Sequence, residues 1–547
     1  MNATRTSVWL LLITALAAAF ALGVGVRFGT FSAGDTDPFG YVSQAELMTS
    51  GTLHVDLSFA RDLRIPDAES AVVPPGYTQS PDGQSGVPVY APGLPLVMAA
   101  ALRLTGRRDA VFFVVPILAA LGVWMTYLIG RRLDGQSTGA MAAVLVATSP
   151  AFLAQVVRPV SDLPATAFWT GALALALRSN PTWSLAGGLM TSMAILTRPN
   201  LVPLAAVVGA FLIWQAHRAA PTHKRQHVQR VLWFAAGAVP GAVTVGIVNT
   251  LLHGSALRSG YGPLGDLFGP EHVLPNLNRY PRWLVETHTP FILLSLLAPA
   301  IASRRVGAGL GRASVWLLLA FAFMLLMLNL FYAAWGYDEW AYVRFMLPAV
   351  PALLVLSVVV ASRIVRAWLP QVKLRGVALV VIIGGLALWQ IREAERRGVF
   401  VEFFVERRYP DVGRFVGQAM PPSAVFVSGL HSGSIRYYSD RMTLNYVRLD
   451  YASLDRAIRN LQELGHEAFI VLEDGEQPEF GKRFPRSDYS KLDWPPRYRT
   501  YEGVPVAIWD PRDRDQYLQG LPVVTYDIHR REKPVSSTIK NGGKTLQ

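Results

Sequence analysis

The feature that most constrains this chain is a series of long apolar runs, too many for one water-soluble core. They fall at about residues 8–26, 110–130, 137–154, 164–178, 183–197, 200–216, 231–252, 289–303, 313–333, 345–362 and 376–391. A helix needs roughly 20 apolar residues to cross a bilayer, fewer when tilt or neighbours compensate. The runs therefore predict about 11 membrane spans. Residues 1–26 also fit a signal peptide, and cleavage there leaves the sidedness of later loops unchanged.

Charge is distributed to match. Of 51 Lys+Arg and 38 Asp+Glu, residues 1–391 hold 27 and 16, which leaves 24 and 22 for residues 392–547. The first part reads as a membrane domain and the second as a soluble domain of about 392–533. A polar tail, 534–547, is expected to be disordered. No cysteine is present, which excludes a disulfide framework, a thiol nucleophile and Cys-ligated metals.

Lys and Arg gather on the cytoplasmic side of membrane proteins. With the N-terminus inside, the cytoplasmic loops collect Arg5, Arg131, Arg132, Arg178, Arg218, Lys224, Arg225, Arg230, Arg304, Arg305, Arg312, Arg363, Arg366, Lys373 and Arg375, against Asp134 alone. The net charge of +13 is thus mainly a record of orientation and not a nucleic-acid footprint. This topology puts three long segments outside: a first loop of about 27–109, a second of about 253–288, and the C-terminal domain. Residues 91–105 are apolar but too short to span and read as a half-helix at the interface. In the C-terminal domain, 423–428, 442–446, 467–472 and 504–509 read as strands and 451–464 as an amphipathic helix. The pattern predicts an α/β layer domain. The turn 428–434 (SGLHSGS) lacks a phosphate-loop pattern and reads as a strand-to-helix turn.

The chemistry sits on the outside face. Asp35 and Asp37 open the first loop, where paired carboxylates suit a general base or a divalent cation, or cap a helix beginning at Pro38. Asp162 and Arg198 stand at the next two outside turns, with Arg158 beside Asp162. Ionisable groups between apolar spans are costly and tend to mark function. Carboxylates facing arginines suit a substrate that carries phosphate. His288 enters a span from outside, where a structural role competes with a catalytic one. Arg344 lies near the aromatic and acidic cluster 337–342.

Asp37-x-x-x-Tyr41 followed by Ala45, Leu47 and Gly51 resembles the first outer loop of the GT-C superfamily of glycosyltransferases. Pro38 stands where that family usually has Glu, and Asp35 supplies an acid nearby. Tyr90-Ala91-Pro92-Gly93-Leu94-Pro95 is similar to its proline-rich stretch, Ser149-Pro150 with Asp162 to its second acidic segment, and Gly187-Gly188…Thr197-Arg198-Pro199 to its glycine-rich span. Arg344 with Pro348 matches the late Arg-x-x-x-x-Pro pattern faintly. The nearest subgroup is the bacterial protein-mannosyltransferase-like and aminoarabinose-transferase-like enzymes.

That resemblance implies an inverting membrane glycosyltransferase with a GT-C-like polytopic α-helical domain over 1–391 and an extracytoplasmic α/β domain. It would use a polyprenyl-phosphate-linked sugar as donor and a glycan, lipid or protein hydroxyl as acceptor, at the outer face of the bacterial cytoplasmic membrane. Asp37 would be the base and Asp162 the second catalytic carboxylate. Asp35, Tyr41, Tyr90, Arg158, Arg198, His288 and Arg344 would bind substrate. A divalent cation, Mg or Mn, would sit on Asp37 and Asp162. The competing readings are a transporter or flippase of lipid-linked sugars, and a silent scaffold. A transporter favours ionisable groups near the midplane in two similar halves, whereas the acids here cluster at one surface.

Overall fold

The computed structural model describes residues 2–302, 311–333, 338–501, 503–529, 534–541 and 544–546. Arg304, Arg305 and Tyr337, which figure in the sequence argument, lie outside them. The chain divides into two compact units, residues 1–29 with 91–402 and residues 30–90 with 403–547.

The first unit is helical. Among the described residues, seven helices are long and apolar enough to cross a membrane: 7–28, 108–134, 199–218, 221–253, 312–331, 340–368 and 372–396. Two bent pairs raise the number to nine, 136–148 with 150–156 (62°) and 270–288 with 290–301 (109°). The expected eleven are therefore not all of spanning length. The two shortfalls are Asp162–Ala176, 15 residues, and Pro181–Thr197, 17 residues. At 1.5 Å per residue each falls short of a hydrocarbon core of about 30 Å. Residues 91–105, read as a half-helix, do form one, Gly93–Thr105.

Burial sorts these helices by role. Every residue of Asp162–Ala176 is buried, and the apolar window of 340–368 is wholly inside the unit. Helix 372–396 instead exposes Val377, Val380, Val381 and Leu388, a face that only an apolar surrounding accommodates without cost. Small residues set the closest packing. A Cβ on Gly188 would lie 2.9 Å from the Gly237 Cα, and Ser192 Oγ donates to the Gly237 carbonyl (2.6 Å) and accepts from the Gly241 amide (2.8 Å). Interfaces of this small-residue kind join membrane helices through dispersion and polar contacts, because apolar burial alone gains nothing in lipid. At another helix end, Asp134 is buried and takes Arg363 (2.7 Å) and Arg366 (2.9 Å), which ties helix 114–134 to helix 350–368.

The second unit is built on sheets. Strands β1 (Val55–Asp56), β2 (Tyr77–Gln79) and β3 (Ser85–Pro88) form a small antiparallel sheet in the order β1-β3-β2. The large sheet has eight strands: β4 (Ala424–Ser428), β5 (Met442–Asn445), β6 (Glu467–Glu473), β7 (Tyr498–Arg499), β8 (Val506–Trp509), β9 (Val523–Asp527), β10 (Pro534–Asn541) and β11 (Lys544–Leu546). Their order is β11-β10-β9-β7-β8-β6-β4-β5, with β4 parallel to both β5 and β6. Strand β4 is buried at all five positions, as a strand covered on both faces must be. Helices Arg408–Ala419, Ser432–Ser439 and Leu454–Glu463 accompany it. The tail expected to be disordered contributes β10, which pairs onto β9, and β11, which pairs onto β10.

Residues 30–90 are fastened to this unit by named bonds. The Ala33 amide donates to Tyr438 Oη (2.9 Å), the Arg64 amide to Asn460 Oδ1 (2.9 Å), Arg436 to the Val72 carbonyl (2.5 Å) and Arg448 to the Tyr77 carbonyl (2.7 Å). Arg436 is half-buried, and loss of hydration pulls its guanidinium down to about 10.

Candidate active site

Asp37 sits in the first turn of helix Asp37–Thr49, with Pro38 in the same turn. Pro fits there because the first amides of a helix lack intrahelical acceptors. Thr36, at the cap position, makes no side-chain cap bond. The Asp37 carboxylate is half-buried and accepts a short hydrogen bond from Tyr90 Oη, at 2.5 Å. Tyr90 in turn stacks on Tyr41, with ring centroids 4.5 Å apart. The Tyr90 ring fits only because residue 40 is glycine, since a Cβ there would come within 2.2 Å of it. Asp37, Tyr41 and Tyr90 are thus brought together.

Asp35 is exposed, and its backbone is left-handed (φ 52°). Asp tolerates that region better than most residues, yet it remains a strained state that its surroundings must hold.

In the helical unit, Asp162 opens helix Asp162–Ala176 and pairs with Arg198, which ends helix Pro181–Thr197. Both side chains are largely buried, so the charges are mutually compensated. The Arg198 guanidinium also lies over the Phe345 ring (5.0 Å), and Arg344 lies over the same ring (5.2 Å). Two guanidinium groups thus share this ring, and one of them is paired with Asp162. Phe345 had no sequence signal beyond its place next to Arg344.

Arg158 pairs with Glu402, a partner the sequence did not nominate. His288, expected to bind substrate, has a buried ring, with Nε2 2.8 Å from Ser149 Oγ and Nδ1 2.9 Å from Thr287 Oγ1. It stands at the sharp break before Thr289 (φ 58°) and ties that break to the Ser149-Pro150 bend.

Among the described residues, no three of His, Cys, Asp or Glu stand together as ligands. Asp162, one of the two groups expected to hold a divalent cation, bears the Arg198 guanidinium.

The turn 428–434 does lead from β4 into helix Ser432–Ser439. The Leu430 amide, which an anion would seek, donates to Glu476 Oε1 at 3.1 Å. An internal carboxylate fills that place.

Residues 88–241 match the dolichyl-phosphate-mannose-protein mannosyltransferase family. That stretch contains Tyr90, Arg158, Asp162 and Arg198. No curated protein sequence matches the chain. Among solved structures, ArnT from Cupriavidus metallidurans in the apo state is 14% identical, covering 93% of this chain and 98% of that one at a TM-score of 0.54. The same enzyme bound to undecaprenyl phosphate covers 87% and 94% at 14% identity and a TM-score of 0.52. The oligosaccharyltransferase AglB from Archaeoglobus fulgidus, in complex with an inhibitory peptide and a dolichol-phosphate, is 13% identical over 86% of this chain and 70% of that one, with a TM-score of 0.52. All are GT-C superfamily membrane glycosyltransferases, and the chain has their fold.

Proposed function

We propose that this protein is a polytopic membrane glycosyltransferase that moves a sugar from a polyprenyl-phosphate-linked donor to an acceptor hydroxyl, with inversion. Asp37 takes the proton from the acceptor hydroxyl as the new bond forms at the anomeric carbon. The bond from that carbon to the phosphate oxygen breaks, and polyprenyl phosphate leaves with the electron pair. Arg198 and Arg344 stabilise the charge developing on the phosphate. Asp162 is assigned to orient Arg198, and Tyr90 to orient the Asp37 carboxylate. No step needs a metal ion.

The observation that carries this reading is that two guanidinium groups, those of Arg198 and Arg344, lie against the one Phe345 ring. Fixed positive charge in an apolar unit is suited to a phosphate arriving through the bilayer. Relatives with this fold have been solved with undecaprenyl phosphate and with a dolichol-phosphate, which supports a lipid-borne donor. The positive-inside bias places the active face, residues 30–90 and 403–547 on the outer side of a bacterial cytoplasmic membrane. Eleven crossings, with helices 162–176 and 181–197 as short ones shielded by neighbours, are consistent with that sidedness.

Deleting the gene should raise one polyprenyl-phosphate sugar and remove one surface glycan, naming donor and product together. The wild-type gene should reverse both changes and the Asp37→Asn variant neither. If neither pool moves on deletion, the transferase reading is wrong.

A further inference from the structure

The C-terminal half of the sheet unit contains a buried polar network that the proposed chemistry does not use. Arg408 Nε donates to Glu473 Oε1 (2.5 Å), and His431 Nε2 lies 3.2 Å from the same oxygen. Arg408 Nη2 donates to Tyr409 Oη (3.0 Å), and the Tyr409 ring stands 4.8 Å from the His431 ring. His431 is wholly buried. Burial alone would raise the Glu473 carboxyl, but His431 and Arg408 hold it below its usual range. Glu476 belongs to the same cluster, accepting from the Leu430 and Glu473 amides and from Tyr446 Oη. Apart from His431 Nδ1, which has no partner among the described residues, the network is tied together bond by bond, and each bond constrains the next.

Its outer end is the Tyr409 ring, and that ring packs on Gly34. A Cβ at residue 34 would stand 2.0 Å from Tyr409 Cδ2. One residue on is the strained Asp35, whose charge acts on the Tyr409 hydroxyl. Two residues further is Asp37. On the other side of the turn, Tyr438 Oη takes the Ala33 amide, and Phe39 lies against Gly433, where a Cβ would be 2.6 Å from its ring. The left-handed turn that delivers Asp37 to its helix is therefore clamped before and after by residues from 409–438. Strain of this kind persists only where the surroundings over-determine it.

We infer that Arg408 and Tyr409, braced by Glu473 and His431, are positioning residues that hold the Asp35 turn and so aim the Asp37 carboxylate. The inference rests on reading Asp37 as the base. It gives the C-terminal segment a share in the active site that does not depend on recognising an acceptor.

The test is amide hydrogen exchange on the full-length protein in detergent, with sugar transfer followed in native membranes that carry their own donor and acceptor. Arg408→Gln should speed exchange across residues 33–41 at least tenfold and lower transfer at least tenfold. Exchange in β4 and β6 should not change. Arg408→Lys, which keeps a cation for Glu473, should restore both to within about threefold. Gly34→Ala attacks the same contact from the loop side and decides the matter should Arg408→Gln fail to fold. Unchanged exchange at 33–41 in the folded variants, or equal loosening of β4 and β6, overturns the inference. Asp37→Asn separates the two ideas, since it should abolish transfer while leaving exchange as in the wild type. Transfer surviving Asp37→Asn would refute the base and leave the clamp standing.

Discussion

The two units each contain one carboxylate in the proposed chemistry, and they treat it in opposite ways. Asp162 is buried and paired with Arg198. Asp37 is half-buried at a helix start and accepts from a tyrosine hydroxyl. A guanidinium holds its carboxylate by charge, whereas a phenol hydroxyl orients one through a single hydrogen bond. In the proposed chemistry, that difference separates the acid assigned to move a proton from the one assigned to hold a cation still.

The sharpest way to break that contrast is to neutralise each acid in turn. Asp37→Asn should lower transfer by about 10²–10⁴-fold, the usual worth of a general base, without changing thermal stability. A second test strikes the pair. Arg198→Gln should cost about 3–5 kcal/mol of stability, since it leaves Asp162 buried without its cation. The double variant Asp162→Asn with Arg198→Gln should recover most of that loss in a melting assay while remaining inactive. If the double variant were as unstable as the single one, the pair would not be the compensated unit described. Smaller in effect, Tyr90→Phe keeps the ring against Gly40 and Tyr41 but removes the bond to Asp37. Loss of one hydrogen bond to a charged group should reduce kcat by about tenfold with the fold unaltered.

The smallest effect concerns acid stability. Glu473 is depressed in the folded protein, so its contribution is present above about pH 4.5 and is lost as pH falls through its folded value. Melting curves of the wild type should therefore drop more steeply below pH 4.5 than those of Glu473→Gln. At neutral pH the variant should start lower, having given up the charge that Arg408 and His431 face.

Much of this was legible in the sequence because the signals were local. Each of the eleven apolar runs is helical, and strands 424–428, 442–445, 467–473 and 506–509 lie within two residues of their predicted bounds. Asp162 and Arg198 stood out as charges between apolar spans, and they do meet. The failures share a cause. Hydropathy reports that helices 162–176 and 181–197 are apolar, not that they stop short of a bilayer's thickness. His288 looked chemical by type, while its role follows from Ser149, which is 139 positions away. Strands β9 to β11 lack a strong alternating pattern and pair in the large sheet through backbone bonds. Above all, nothing near residue 34 announces Tyr409. Contacts across such distances are set by packing, which leaves no periodicity to read.

The sheet unit is discontinuous, and this has a consequence for how the protein is made. Residues 30–90 leave the ribosome before 91–402, and their folding partners, 403–547, come last. At about 5–20 residues per second, those 312 intervening positions (402 − 91 + 1) take roughly 15–60 s to synthesise. For that interval the segment bearing Asp37 exists without Tyr409, Tyr438, Arg436 or Arg448 to grip it. The enzyme so described would assemble its base only at the end of translation, and a chain cut short before residue 403 would be inserted yet inert.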